Sequence, residues 1–204
     1  MYSPSYFIET DTQKIFAFIK EHAMATVVGC NQPYAVATHL PLLVHEQGDK
    51  IYLQGHLMRH TDHYTAFANN GQVLVIFNSV PAYISAGWSN TPATASTVNY
   101  IAIHINGTIK FTDYAGTAAV LQKITDELIG ANGADAYTNI PQPYIDNNIK
   151  AIVGFAIEVV SIKATFKLSQ NKSQTEQLNI IQQLKNRNNF GDAFIAEKMI
   201  ANLK

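Results

Sequence analysis

The chain is 204 residues long and 47% hydrophobic, enough for one domain of ordinary size, or a core domain with a small appendage, around a real core. With 14 Lys and Arg against 15 Asp and Glu and only 14% charged residues, it has no electrostatic excess to favour nucleic acid or an acidic membrane. The single cysteine, Cys30, excludes an intrachain disulfide; MYSPSYF lacks the basic start and long apolar stretch of a signal peptide, and no apolar run approaches the roughly 20 residues that span a bilayer, so a cytoplasmic protein without a membrane segment is expected. Low charge beside 10% aromatic residues points to apolar surface covered by a partner, and a homodimer is the simplest such partner.

In chain order, Ile15, Phe16, Phe18 and Ile19 recur at helical spacing after Asp11, a candidate cap, and predict a short first helix. Short β-rich runs follow at 24 to 30, 34 to 40, 42 to 45 and 50 to 55, with EQGD turning the chain into the last. VLVIF (73 to 77) is another strand. TVNYIAIHI (97 to 105) meets Asn106-Gly107, which predicts a two-residue hairpin leading back through TIKF. Residues 115 to 131 read as a helix and AIVGFAIEVVSI (151 to 162) as a long apolar strand of a barrel wall. Ser173 and Glu176 form a capping-box pair that opens a helical tail. The expectation is a mainly antiparallel β-barrel with peripheral helices, its barrel domain spanning 1 to 172 and its helical tail 173 to 204.

GHLMRHTDHY (55 to 64) places three histidines and an arginine in ten positions. On one continuous helix His56, His60 and His63 would share a face. The residues before His56 alternate as a strand, however, and Thr61 is the better helix start, capping YTAFANN before Gly71. No Cys, Asp or Glu of zinc spacing supplies further ligands, so no metal is expected. Two readings remain: a phosphate grip made of Arg59, His60 and the free N–H groups of a helix start, or surface histidines around a solvated turn.

THLPLLV (38 to 44), GHLMRH (55 to 60), VLVIFNSVPAYIS (73 to 85), VNYIAIHINGTIKF (98 to 111) and FKLSQNK (166 to 172), in this order, resemble the PaiB family of FMN-binding negative transcriptional regulators. MYSPSYF and IVGFAIEV fit as well, so the resemblance covers most of the chain. It implies an FMN-binding split β-barrel, six-stranded, antiparallel and Greek-key-like, forming a homodimer with FMN at the subunit interface. It places Thr38, His39 and Leu40 beside the flavin ring, and Arg59, His60 and Thr61 at the phosphate. Asn99 joins the cofactor-binding set, as do Lys167 and Gln170 of KLSQN, where Lys167 can balance flavin or phosphate charge. The residues themselves leave two alternatives open: His39 as a core histidine bonded to a carbonyl, and KLSQN as a structural turn fixed by Ser169 and Asn171. The chain departs from the family where Val98 and Phe166 replace tryptophans and where SAGWS (85 to 89) stands for SPSWY. Trp88 and Tyr100 remain as aromatic candidates near the site.

The leading functional expectation is a flavin-dependent regulator or reductase-like protein in which the cofactor carries any redox chemistry, since no residue declares itself an acid or nucleophile. Two alternatives stand beside it. One is haem held by His39, His56, His60 or His104 in the same barrel. The other is a member without cofactor that acts through interactions alone. Direct DNA contact has only Lys185, Arg187 and Lys198 of the tail in its favour.

Overall fold

A computed structural model describes residues 1–2, 4–31, 33–89, 95–132 and 136–203; Ser3 of MYSPSYF and Lys204 of the expected tail lie outside them. The elements run β1 (Ile8–Glu9), α1 (Thr12–Glu21), β2 (Met24–Asn31), β3 (Tyr34–Pro41), β4 (Leu43–Gln47), β5 (Lys50–Met58), α2 (Asp62–Asn69), β6 (Gln72–Asn78), β7 (Ala82–Ile84), β8 (Thr97–Phe111), α3 (Tyr114–Leu128), α4 (Gln142–Asn148), β9 (Ile152–Lys167), α5 (Gln174–Arg187) and α6 (Asp192–Ala201). Asp11 caps α1, its carboxylate accepting from the backbone of Gln13 at 2.9 Å. Ser173 caps α5 by accepting from the N–H of Glu176. No helix among the described residues is long and apolar enough to cross a membrane.

The chain folds as two units, one of residues 16–77 and 104–162, the other of 1–15, 78–103 and 163–204. In the first, the antiparallel path runs β3-β2-β6-β8-β9-β5-β4, one strand more than the six that the resemblance implies. β3 and β4 end that path yet follow each other in the chain, with only Leu42 between them, so no ladder closes the sheet: the architecture is a split barrel. Alternation buries one face of each strand, and Val27, Leu53, Val75, Phe77, Ile105, Phe155 and Ile157 are fully enclosed. α2 packs on β2 and β3, and Phe67 lies so close over Gly29 that a side-chain carbon there would sit 2.5 Å from its ring.

In the second unit β1 pairs with the end of β9 (Ile8↔Thr165), β7 with the start of β8 (Ala82↔Asn99), and α5 packs on α6. Leu184, Ile195 and Met199 form the buried face of that helix pair.

The structure overturns the predicted hairpin at Asn106-Gly107. β8 runs unbroken through both residues to Phe111. Gly107 is a strand residue pressed on β9: an added Cβ would collide with Ile157 Cγ2 and lie 2.7 Å from the carbonyl oxygen of Glu158. The glycine permits close strand approach, a role that local sequence does not distinguish from a turn. β9 likewise runs on to Lys167 rather than stopping near 162, and α4 is a helix that the periodicity did not reveal.

Candidate functional site

The first candidate cluster lies where β5 leads into α2. Arg59 is held twice against the start of β9: its backbone N–H donates to Ala151 O at 2.8 Å, and its Nε–H to Ile152 O at 2.9 Å. The guanidinium is thereby fixed, and its two terminal nitrogens make no hydrogen bond among the described residues. His60 follows in the left-handed region with φ 59°, and Thr61 returns to extended backbone as the cap of α2, its hydroxyl accepting from Tyr64 N at 3.2 Å and donating to Met58 O at 3.0 Å. The backbone N–H groups of His60, Thr61 and Asp62 are left without partners among the described residues, as a helix start requires. The exposed Asp62 carboxylate accepts from the backbone N–H of its neighbour His63 and lies 3.2 Å from the His63 ring. His56, His60 and His63 belong to a strand, a turn and a helix, so they share no helix face. Among the described residues no three His, Cys, Asp or Glu side chains gather as a metal site.

Thr38, His39 and Leu40 lie on β3, paired with Val27, Thr26 and Ala25 of β2. β3 is an end strand of the path, so its second edge carries no ladder among the described residues. His39 is exposed there, not a core histidine, while Thr38 and Leu40 are half-buried on the opposite side. Since α2 packs on β3, the turn at 59–61 and this strand belong to adjoining elements of one unit.

Asn99, Lys167 and Gln170 fall in the other unit. Asn99 is fully buried and exchanges hydrogen bonds with Ser169, its Nδ2 donating at 2.9 Å and its Oδ1 accepting at 3.1 Å. Ser169 takes φ 61°, which ends β9. Gln170 folds back over this corner, its carbonyl oxygen accepting from Leu168 N at 2.8 Å and its amide donating to Phe166 O at 2.5 Å. Much of KLSQN is thus a built turn, made by Ser169 and Gln170 side chains. Lys167 differs: its ammonium donates to Thr97 at 2.5 Å, sits 5.9 Å from the ring centres of Tyr2 and Phe7, and has its pKa pushed down by desolvation. Trp88 lies under the guanidinium of Arg187 at 4.8 Å.

Residues that sequence reasoning passed over, His45, Tyr52, Gln54 and Lys123, join His56 along one face of β5. His45 of β4 stacks on Tyr52 at 5.6 Å, and Lys123 of α3 donates to Gln54 at 3.1 Å. The Nδ1 atoms of His45 and His56 are buried without a hydrogen-bond partner among the described residues. Burial lowers the pKa of both, and Lys123 adds to the effect at His45. The strand alternation of KIYLQGH was the available signal, because it puts Tyr52, Gln54 and His56 on one side.

A family model described as "Putative FMN-binding domain" matches residues 1–161. The protease synthase and sporulation protein PAI 2 of Bacillus subtilis (strain 168) is 33% identical over 208 residues, covering all of this chain and 99% of the relative. Among solved structures, the flavocytochrome Anf3 from Azotobacter vinelandii superposes with a TM-score of 0.64 at 14% identity, over 85% of this chain and 75% of that one. A FAD- and haem-binding protein from Mycobacterium smegmatis gives 0.62 at 15% identity, over 84% and 78%. The two structures establish the fold. The chain belongs to the PaiB family of FMN-binding split-barrel proteins, and FMN is its cofactor.

Proposed function

We propose that this protein is a flavin-dependent regulator or reductase-like protein that works as a homodimer, holding the FMN phosphate at Arg59, His60 and Thr61 and the flavin ring along Thr38, His39 and Leu40. The observation that carries the reading is the Nε bond of Arg59 to Ile152 O. It orients a guanidinium whose remaining donors are open among the described residues, beside N–H groups at the start of α2 that are likewise unbonded among them. Such a preset fork suits a phosphate, and a helix start adds its positive end. FMN supplies one- or two-electron redox chemistry when bound; the residues named bind and orient it. The name of the Bacillus relative, with its reference to protease synthesis and sporulation, supports a regulatory role. Direct DNA contact finds less support, because Arg187 spends its guanidinium on Asp192 at 2.6 and 2.8 Å. Exposed Tyr34 on the end strand β3, and exposed Met24 on its neighbour β2, support self-association.

The test compares FMN with riboflavin, which lacks only the phosphate. Losing a charge-assisted hydrogen bond costs roughly 1.5–3 kcal/mol, so Arg59→Ala is expected to weaken FMN by about one to two orders of magnitude and riboflavin far less. Equal losses for both ligands would remove Arg59 from the phosphate. Mass spectrometry of the ligand released by denaturation identifies it directly, and haem in place of FMN would sink the flavin reading.

A further inference from the structure

The unit formed by 1–15, 78–103 and 163–204 contains a cleft of about 280 Å³. Lys167 reaches into it from the end of β9, between Thr97 of β8 and the rings of Tyr2 and Phe7. An ammonium carries three donors, and among the described residues only one of the three here has an acceptor. The described residues that line the cleft include no Asp or Glu. A second lining cation, Lys172, has Glu176 at 3.8 Å, whereas Lys167 has no such counter-charge among the described residues. Taking a charge out of water without a partner is costly, and the lowered pKa of Lys167 records that cost.

The surroundings are built before any ligand arrives. β1 pairs with β9 beside Lys167, and Thr165 donates to Tyr2 O at 3.0 Å, which anchors the segment that carries both rings. On the other side the Asn99–Ser169 pair locks the corner after Lys167. More than half of the Tyr2 surface stays exposed, leaving the ring able to cover a flat partner. With one cation unpaired among the described residues and one hydroxyl beside it, the cleft matches one negative charge better than the two of a phosphate.

We propose that this cleft is a binding site for a small aromatic carboxylate, the anion paired with Lys167 and Thr97 and the flat body laid against the aromatic wall. The site extends the flavin reading above and assigns Lys167 to a ligand other than FMN. Calorimetric titration of the FMN-loaded protein with sodium benzoate tests it, with inorganic phosphate as the control probe. Saturable benzoate binding is expected at one per chain, weakened at least about tenfold by Lys167→Met and kept within a few fold by Lys167→Arg. Arg59→Ala should leave benzoate affinity unchanged even where it strips FMN, so the two readings can fail separately. The proposal is overturned if benzoate fails to saturate at millimolar concentration, binds equally to Lys167→Met, or is outcompeted by phosphate. Loss of FMN together with benzoate in a Lys167→Met variant that melts like the parent would also overturn it, because the cleft would then belong to the flavin.

Discussion

Replacing Gly107 by alanine tests the strand that the sequence disguises as a turn. The new methyl would overlap Ile157 Cγ2 and stand 2.7 Å from Glu158 O, an atom of the backbone that cannot rotate away. Overpacking of this kind costs typically about 1–3 kcal/mol, against which alanine returns roughly 0.4–1 kcal/mol by restricting the unfolded chain. With two contacts under 3.0 Å, one to backbone, the cost falls in the upper half of that range, so the net loss is about 1–2.5 kcal/mol, a fall in melting temperature of roughly 2–10 °C for a chain of this size. A double-mutant cycle by chemical denaturation locates the cause. Ile157→Ala removes the colliding methyl, so in that background Gly107→Ala should cost at least about 0.5 kcal/mol less. Asn106→Ala should cost under about 0.5 kcal/mol, since its side chain is exposed and meets half-buried Ser161. A neutral Gly107→Ala, strict additivity with Ile157→Ala, or an Asn106→Ala as damaging as the glycine change would refute the reasoning and restore the turn.

The histidine face of β5 predicts a pH dependence. Burial holds the folded-state pKa of His56 below its ordinary 6.5, so the unfolded chain binds more protons between the two values; stability is full above about pH 6.5 and falls as the pH drops through the folded pKa. His56→Leu should flatten the loss of melting temperature between about pH 7 and pH 5, His45 retaining part of it, and an unchanged profile would exclude His56 as the source. For self-association, sedimentation at micromolar concentration should give a dimer, and Tyr34→Lys on β3 should shift it toward monomer; a monomeric parent protein would dismiss the interface.

What local chemistry settles was legible in the sequence. Asp11, Thr61 and Ser173 stand before runs of helical periodicity, and each caps a helix because the contact spans only a few residues. The alternation of the strands predicted an antiparallel barrel, and the quoted motifs pointed to the family and to FMN. Where a residue's meaning depends on a distant partner, the same reading ran out. Asn106-Gly107 has the composition of a turn, and only β9 lying against it makes it strand. Asn99 carries no local sign that it will be buried and exchange hydrogen bonds with Ser169, 70 positions along the chain. Lys167 meets Thr97 across 70 positions and Tyr2 across still more. Desolvation and charge pairing depend on what the folded chain brings near an atom, and no window of neighbouring residues contains that information.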